Sequence, residues 1–407
     1  MTTLLFRGAR EILTCTADTA DIVMRDAALL VVDGIVHGVD TFDALSAEAP
    51  AAAEIDCTDC VITPGFVDSH THAVFGGWRA AEYAMRSRGM PYMEIAHRGG
   101  GINASVRDIR MRSEEELVEL GRTRINAMLS CGTTTAEVKS GYGLDTENEL
   151  KQLRAIRSLQ QETPVDLVPT FMGAHEFPQE YRDRRGAYID LIVNEMIPAV
   201  AGEKLAVFCD VFMEPGVFTA AQTRRVLEAG VRHGLVPKLH ADELENSGAA
   251  ELAVELGAAS ADHLGAISEA GIAALAQSAT VATLLPATLL FLGRNRYAPA
   301  RRLIDAGATI ALATDFNPGS SPTASMPLVM TLACSQMGMD PLEAIVAATV
   351  GGARALRLTD GTGTLAPGAP ADLAVWDIPD HRELPYRFGA APLRGVWKRG
   401  QRVRPSL

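Results

Sequence analysis

His70 and His72 stand one residue apart in Asp68-Ser69-His70-Thr71-His72, directly after the run Val61-Ile62-Thr63-Pro64-Gly65-Phe66-Val67. Side chains alternate along an extended chain, so both imidazoles leave on the same side. Two ligands of one metal ion need that arrangement. His240, His263 and Asp315 also follow apolar runs. His70, His72, His240 and Asp315 together would hold zinc or another first-row divalent ion, leave a position for water, and require no cysteine. Such an ion lowers the pKa of its water from about 16 to near 7, which points to hydrolysis at neutral pH. His263 is placed to stabilise developing charge, and either it or Asp315 could carry a proton to a departing nitrogen. Glu243, on the turn after His240, could face a ring nitrogen of a bound heterocycle. Tyr142, in the glycine-rich stretch Ser140-Gly141-Tyr142-Gly143, could orient a substrate, and His175 ends another strand-like run. One ion per subunit is expected. The fourth run, Val207 to Phe212, has no lysine that could become a bridging carbamate, and Lys139 belongs to the second.

The elements that must position these groups are strand-like and helix-like runs alternating eight times. The strands are expected at Ile62 to Val67, Thr133 to Val138, Asp166 to Phe171, Val207 to Phe212, Val236 to Leu239, Ala259 to Ala261, Thr280 to Leu285 and Thr309 to Ala313. Their apolar character and the intervening helices predict parallel strands covered on the outside. Eight such units predict an α/β fold, a (β/α)8 TIM barrel, with catalytic groups at the C-terminal strand ends. A doubly wound sheet is the alternative. Ser113 with Glu116, and Thr146 with Glu149, have capping-box spacing, and Asp340-Pro341 opens a further helix. Leu4 to Thr14, Ala28 to Asp33 and Ile35 to Val39 read as short strands, the last two joined by an Asp33-Gly34 turn. Ala371 to Trp376 and Leu393 to Trp397 repeat the style, with a turn at Lys398 to Gln401. The two chain ends should therefore make one small β-sandwich domain, 1–63 with 355–407, beside a catalytic barrel of 64–354.

The 407 residues, 47% hydrophobic and 21% charged, describe a folded chain with a substantial core. A formal charge of -13 without a basic run argues against nucleic acid as a partner. One or two arginines in a cleft can still hold an anionic small molecule, and Arg79 is placed for that. The six scattered cysteines read as core residues of a reducing compartment, Cys57 and Cys60 included. The N-terminus lacks the pattern of a signal peptide, and the apolar stretch Ala279 to Leu292 is short for a membrane helix and contains Pro286. A cytoplasmic protein with no membrane partner is the expectation.

Taken together, these segments resemble the amidohydrolase superfamily and, within it, the imidazolonepropionase family of cyclic amidohydrolases in histidine degradation. The likeness spans nearly the whole chain. It is carried by Asp68 to His72 with Val74 to Gly77, Thr133 to Gly143, Thr170 to His175, Lys238 to Glu243, Ser260 to Leu264 and Ala313 to Ser320. The resemblance implies hydrolytic ring opening of 4-imidazolone-5-propanoate to N-formimidoyl-L-glutamate. It assigns one zinc or iron ion to His70, His72, His240 and Asp315. It implies substrate contacts at Arg79, Tyr142 and His175, with Asn317, Gly319 and Ser320 closing around the ligand, Tyr92 as a further pocket tyrosine, and a homodimer. Arg79 is the expected grip on the propanoate, with Arg86, Arg88 and Arg98 as neighbours. Two other functions fit a site of this kind: deamination of a purine-like heterocycle, which would release ammonia, and a metal-dependent binding protein without turnover.

Overall fold

Eight short strands lie side by side in strict chain order in the computed structural model, which describes residues 2–16, 22–90, 94, 99–390 and 392–403. They are Phe66–Asp68, Thr133–Lys139, Asp166–Ala174, Phe208–Met213, Val236–Ala241, Ser260–His263, Val281–Leu284 and Ile310–Leu312. All neighbouring pairs are parallel. The first and last strands meet just beyond their C-terminal ends. There Asp315 N donates to His70 O at 3.0 Å and His72 N to Phe316 O at 2.9 Å. The expected barrel is therefore present, and the backbone that joins its edges is the backbone that carries three of the candidate ligands.

Two expected strands each divide between sheets. Ile62 to Val67 breaks at Pro64-Gly65: Val61–Pro64 pairs antiparallel with Leu373–Trp376 in a six-stranded sheet, while Phe66–Asp68 enters the barrel. Gly65 lies so close to Thr134 that a Cβ would overlap that side chain, so only glycine lets the chain pass here. Leu4 to Thr14 breaks at Gly8 (φ 76°) into Thr3–Arg7 and Glu11–Leu13, which lie in different sheets. At Pro64-Gly65 the run continues through the crossover because it is buried on both sides, whereas Gly8 and Arg10 are exposed. Asp33 and Gly34, both at positive φ, make the expected hairpin turn between Ala28–Val32 and Ile35–Asp40.

The four-stranded and six-stranded sheets, built from both chain ends, enclose a core of Phe6, Ile12, Leu29, Val31, Ile62, Val375 and Trp397. A small β-sandwich is thus confirmed beside the barrel. Cys57 and Cys60 are buried there as free thiols. Burial raises both, to about 12 and about 11, as expected of inert core cysteines.

The helices follow their caps, with one difference. Ser113 and Glu116 form a capping box on Glu114–Leu129, and Asp340 with Glu343 does so on the helix begun by Pro341. At Thr146–Glu162 the cap is Asp145, which accepts from Asn148 N, rather than Thr146. Glu149 turns away from the helix end and accepts from Gly141 N, Gly143 N and Leu144 N at 2.8–3.1 Å. A carboxylate with the spacing of a helix cap is spent on fixing the loop that carries Tyr142.

Candidate active site

Five ionisable side chains converge at the C-terminal mouth of the barrel. The ligand-type atoms of His70, His72 and Asp315 lie within 4.8 Å of one another, as do those of His70, His240 and His263. His70 Nε2 and His72 Nε2 are 3.6 and 3.7 Å from Asp315 Oδ1. His70 Nδ1 is held by Asp262 Oδ2 at 2.7 Å, and His240 Nδ1 by Asp210 Oδ1 at 3.1 Å. An ionised carboxylate can only accept, so each of these rings carries its proton on Nδ1 and presents a lone pair at Nε2.

Those Nε2 atoms are buried and have no hydrogen-bond partner, and the same is true of His72 Nδ1 and both nitrogens of His263. Buried polar atoms without partners are rare and costly, so a cluster of such rings calls for a ligand. Burial, reinforced by neighbouring positive groups, pushes His70, His72 and His263 well below the usual imidazole range, and His175 to about 3. Neutral imidazoles are the form that binds a metal. The clustered histidines and aspartate have the donor set and spacing of a divalent-metal site.

Strained backbone aims several of these groups. His263 (φ 82°), Leu264 (φ 62°), Asp242 (φ 49°) and Asp315 (φ 52°) all occupy the left-handed region, which residues other than glycine adopt at a cost. Asp315 Oδ2 accepts from Thr288 Oγ1 at 2.6 Å, which leaves Oδ1 facing the histidines. Burial raises its carboxyl to about 6.

A cavity of about 470 Å³ opens over the cluster. Arg79, Tyr142, His175, Glu243, Asn317, Gly319 and Ser320 all line it, with His72, His240, His263 and Asp315 at its floor. His70 lies beneath, fully buried. Tyr92 lies outside the described residues. Glu243 is carried on a turn pinned by Glu214, which accepts from Glu243 N and Glu245 N at 3.1 and 2.7 Å. Burial, then the nearby carboxylates of Asp315 and Glu214, raise Glu243 to about 8, and its Oε2 is 3.7 Å from His263 Nε2.

On the other wall, a Cβ at Gly319 would overlap the Arg79 guanidinium, so glycine lets the arginine approach the loop this closely. Arg79 is ion-paired with Glu82, its Nε 3.4 Å from Glu82 Oε2 without a hydrogen bond, and its guanidinium lines the cavity. Asn317 accepts from Gly319 N and Ser320 N at 2.8 Å and donates to Asp315 O at 2.7 Å. Its polar atoms are engaged in shaping the loop. His175 stacks on His72, with ring centroids 5.0 Å apart.

Several residues that hold the site carry no role in the sequence reading. Asp210, Asp262, Glu137 and Lys238 are fully buried in the barrel interior, where apolar side chains are the usual filling. The signal was the period-two alternation Glu137-x-Lys139 and Lys238-x-His240, which puts each lysine on the inward face. Lys139 is pulled down by burial but carried above its ordinary range by Asp210, Glu137 and Asp262, so it is a fixed ammonium. Arg124 is another: it donates to the carbonyls of Ala73, Phe75 and Gly76 and lies over the Phe75 ring, bracing the segment that leads to Arg79.

With this geometry established, comparison with known proteins decides the family. The amidohydrolase family profile matches residues 61–404. The chain belongs to the amidohydrolase family. Curated relatives named imidazolonepropionase include one from Symbiobacterium thermophilum, 47% identical over 98% of this chain and 97% of its own length. Others come from Brevibacillus brevis, 46% identical over 93% and 90%, and Porphyromonas gingivalis, 48% identical over 93% and 89%. Among solved structures, Escherichia coli guanine deaminase superposes with a TM-score of 0.76 over the whole of both chains at 16% identity. An adenosine deaminase from Xanthomonas campestris with bound zinc gives 0.75 over 99% and 93% at 20% identity. At these identities the structures share the amidohydrolase fold with this chain, and the sequence relatives define its closer kinship.

Proposed function

We propose that this amidohydrolase hydrolyses 4-imidazolone-5-propanoate to N-formimidoyl-L-glutamate. The observation that carries the reading is the cluster of unpartnered imidazole nitrogens and Asp315 beneath a cavity lined by Arg79, in a chain whose 45–48% identical relatives are named for this activity. His70, His72, His240 and Asp315 would hold one divalent ion, zinc or iron. When bound, the ion supplies a nucleophilic oxygen at neutral pH by acidifying a water.

The side chains account for the rest. Arg79 grips the propanoate with directional, charge-assisted hydrogen bonds. Tyr142 and His175 flank the ring, and the Asn317, Gly319 and Ser320 loop closes the pocket. Glu243 accepts from a ring N-H, which turns the ring carbonyl toward the floor. His263 stabilises charge developing on the carbonyl oxygen, and His263 and Asp315 Oδ1 are the proton carriers within reach of the departing nitrogen. Water adds across the ring carbon–nitrogen bond, the carbonyl carbon becomes a carboxylate, and the nitrogen stays attached through the formimidoyl carbon.

Residues 64–354 serve as the catalytic unit, with 1–63 and 355–407 as the composite small domain. The family resemblance supports a cytoplasmic homodimer, and all six cysteines are free thiols, as a reducing compartment leaves them. No described helix is long and apolar enough to cross a membrane.

The test is to mix metal-analysed protein with fresh 4-imidazolone-5-propanoate, follow its ultraviolet absorbance, and identify the product by mass and by ammonia assay. Accelerated loss with N-formimidoyl-L-glutamate and no ammonia is expected. Loss at the spontaneous rate, or ammonia release, would reject the assignment.

A further inference from the structure

Beneath the histidines lies a closed set of five buried charges that does not line the cavity. Lys139 Nζ is 2.8 Å from Glu137 Oε1 and 2.7 Å from Asp210 Oδ2, and 3.7 Å from Asp262 Oδ2. Lys238 Nζ is 2.7 Å from Glu137 Oε2 and 3.8 Å from Asp262 Oδ2, and donates to Ser69 O, the carbonyl preceding His70, at 2.9 Å. All five side chains are fully buried.

Burying three carboxylates and two ammonium groups is costly, and well-packed apolar residues in their place often give equal or better stability. Stability is therefore a poor reason for the network, and its geometry suggests another. Asp210 divides its oxygens: Oδ2 goes to Lys139, and Oδ1 accepts from His240 Nδ1 and from His240 N at 3.2 Å. Asp262 Oδ2 faces both lysines and His70 Nδ1. Glu137, gripped by both lysines and by Thr170 Oγ1, ties the two halves together. The group His70, Glu137 and Asp262 has the spacing of a cation site, and the two ammonium groups supply the cation from the chain itself.

We propose that Lys139 and Lys238 are positioning residues for metal binding, acting through Asp210 and Asp262 to fix the tautomer and direction of His240 and His70. This inference rests on the metal-site reading above. With Asp210 pinned on one oxygen by Lys139, the other oxygen has a single direction in which to meet His240. Lys238 fixes the backbone from which His70 departs. An outer hydrogen-bond partner of a metal ligand contributes roughly 10–100-fold in metal affinity.

A double-mutant cycle tests the relay. Zinc affinity is measured by competition with a chelating dye for the unsubstituted chain, Lys139→Met, Asp210→Asn and the double variant. Visible absorption of the cobalt-loaded forms reports ligand geometry. Each single substitution should weaken zinc binding by roughly 10–100-fold and alter the cobalt spectrum, whereas the double variant should match the weaker single within about threefold, because both act on one imidazole. If Lys139→Met leaves too much unpaired charge to fold, Asp210→Asn and the double variant, which carries no new unpaired charge at that contact, still decide the matter. A further tenfold loss in the double variant, or native affinity in Asp210→Asn, overturns the relay. Failure of the unsubstituted chain to bind zinc overturns the metal reading and the relay with it, a result distinct from a zinc-binding chain indifferent to these substitutions.

Discussion

The histidines with Asp315 at the barrel mouth and Glu11, Asp380 and His381 in the small domain both have the composition of a metal site. Their atoms are comparably close and their key side chains comparably buried, but they differ in what is left over. Glu11 Oε2 accepts from His381 N and lies 2.8 Å from His381 Nδ1, Glu11 Oε1 takes Arg25, and Asp380 is paired with Arg382. Every carboxylate there has a partner within the chain. At the barrel mouth the orienting atoms, His70 Nδ1 and His240 Nδ1, are satisfied from behind, while the atoms facing forward are not. A cluster becomes a site when its unsatisfied atoms converge, and the same residue types make a structural staple when they do not.

The contrast can be broken most severely at the ligands. His240→Ala should abolish tight metal binding and lower kcat/KM by on the order of a thousandfold or more, since the activated water is lost; retention of metal and activity would equate the two clusters. Glu243→Gln should keep the metal and lower kcat/KM by about 10- to 100-fold, as expected when an acceptor that orients the ring is weakened. Arg79→Ala should act chiefly through KM and kcat/KM, by about 10- to 100-fold, as expected for loss of a charge-assisted contact. An unchanged kcat/KM would remove Arg79 from the pocket.

Acid should distinguish the clusters more gently. Burial raises the metal-free Asp315 carboxyl to about 6, and a proton there competes with the ion. Metal affinity should be fully developed above pH 6 and fall by about tenfold per pH unit below it, a slope readable by dye competition between pH 5 and 7.5. Affinity flat across that window would contradict the placement of Asp315. The smallest effect is expected in the small domain. Glu11→Gln should cost about 1–3 kcal/mol of stability by denaturant titration, for a weakened buried contact, with kcat and metal content unchanged.

How much of this was legible in the sequence depends on whether a residue's role is set by local spacing. His70-x-His72, the second to eighth strands within a residue or two at most ends, and the Asp33-Gly34 hairpin follow from alternation and turn chemistry. The division of Ile62 to Val67 was hidden, because hydrophobic runs mark burial and not the sheet in which a strand is buried, whereas that of Leu4 to Thr14 falls at Gly8, between Arg7 and Arg10. Asp145 rather than Thr146 caps its helix, and Glu149 holds the Tyr142 loop, a partnership visible only once that loop is folded. The ion network beneath the ligands joins residues up to 125 positions apart, from Glu137 to Asp262, and no local pattern announces such a pairing.

The most direct test is anomalous scattering from crystals grown with zinc, combined with metal analysis of the same protein. The account predicts one ion per chain, coordinated by His70 Nε2, His72, His240 Nε2 and Asp315. Two tightly held ions per chain, or a single ion coordinated elsewhere with those nitrogens still unoccupied, would contradict it.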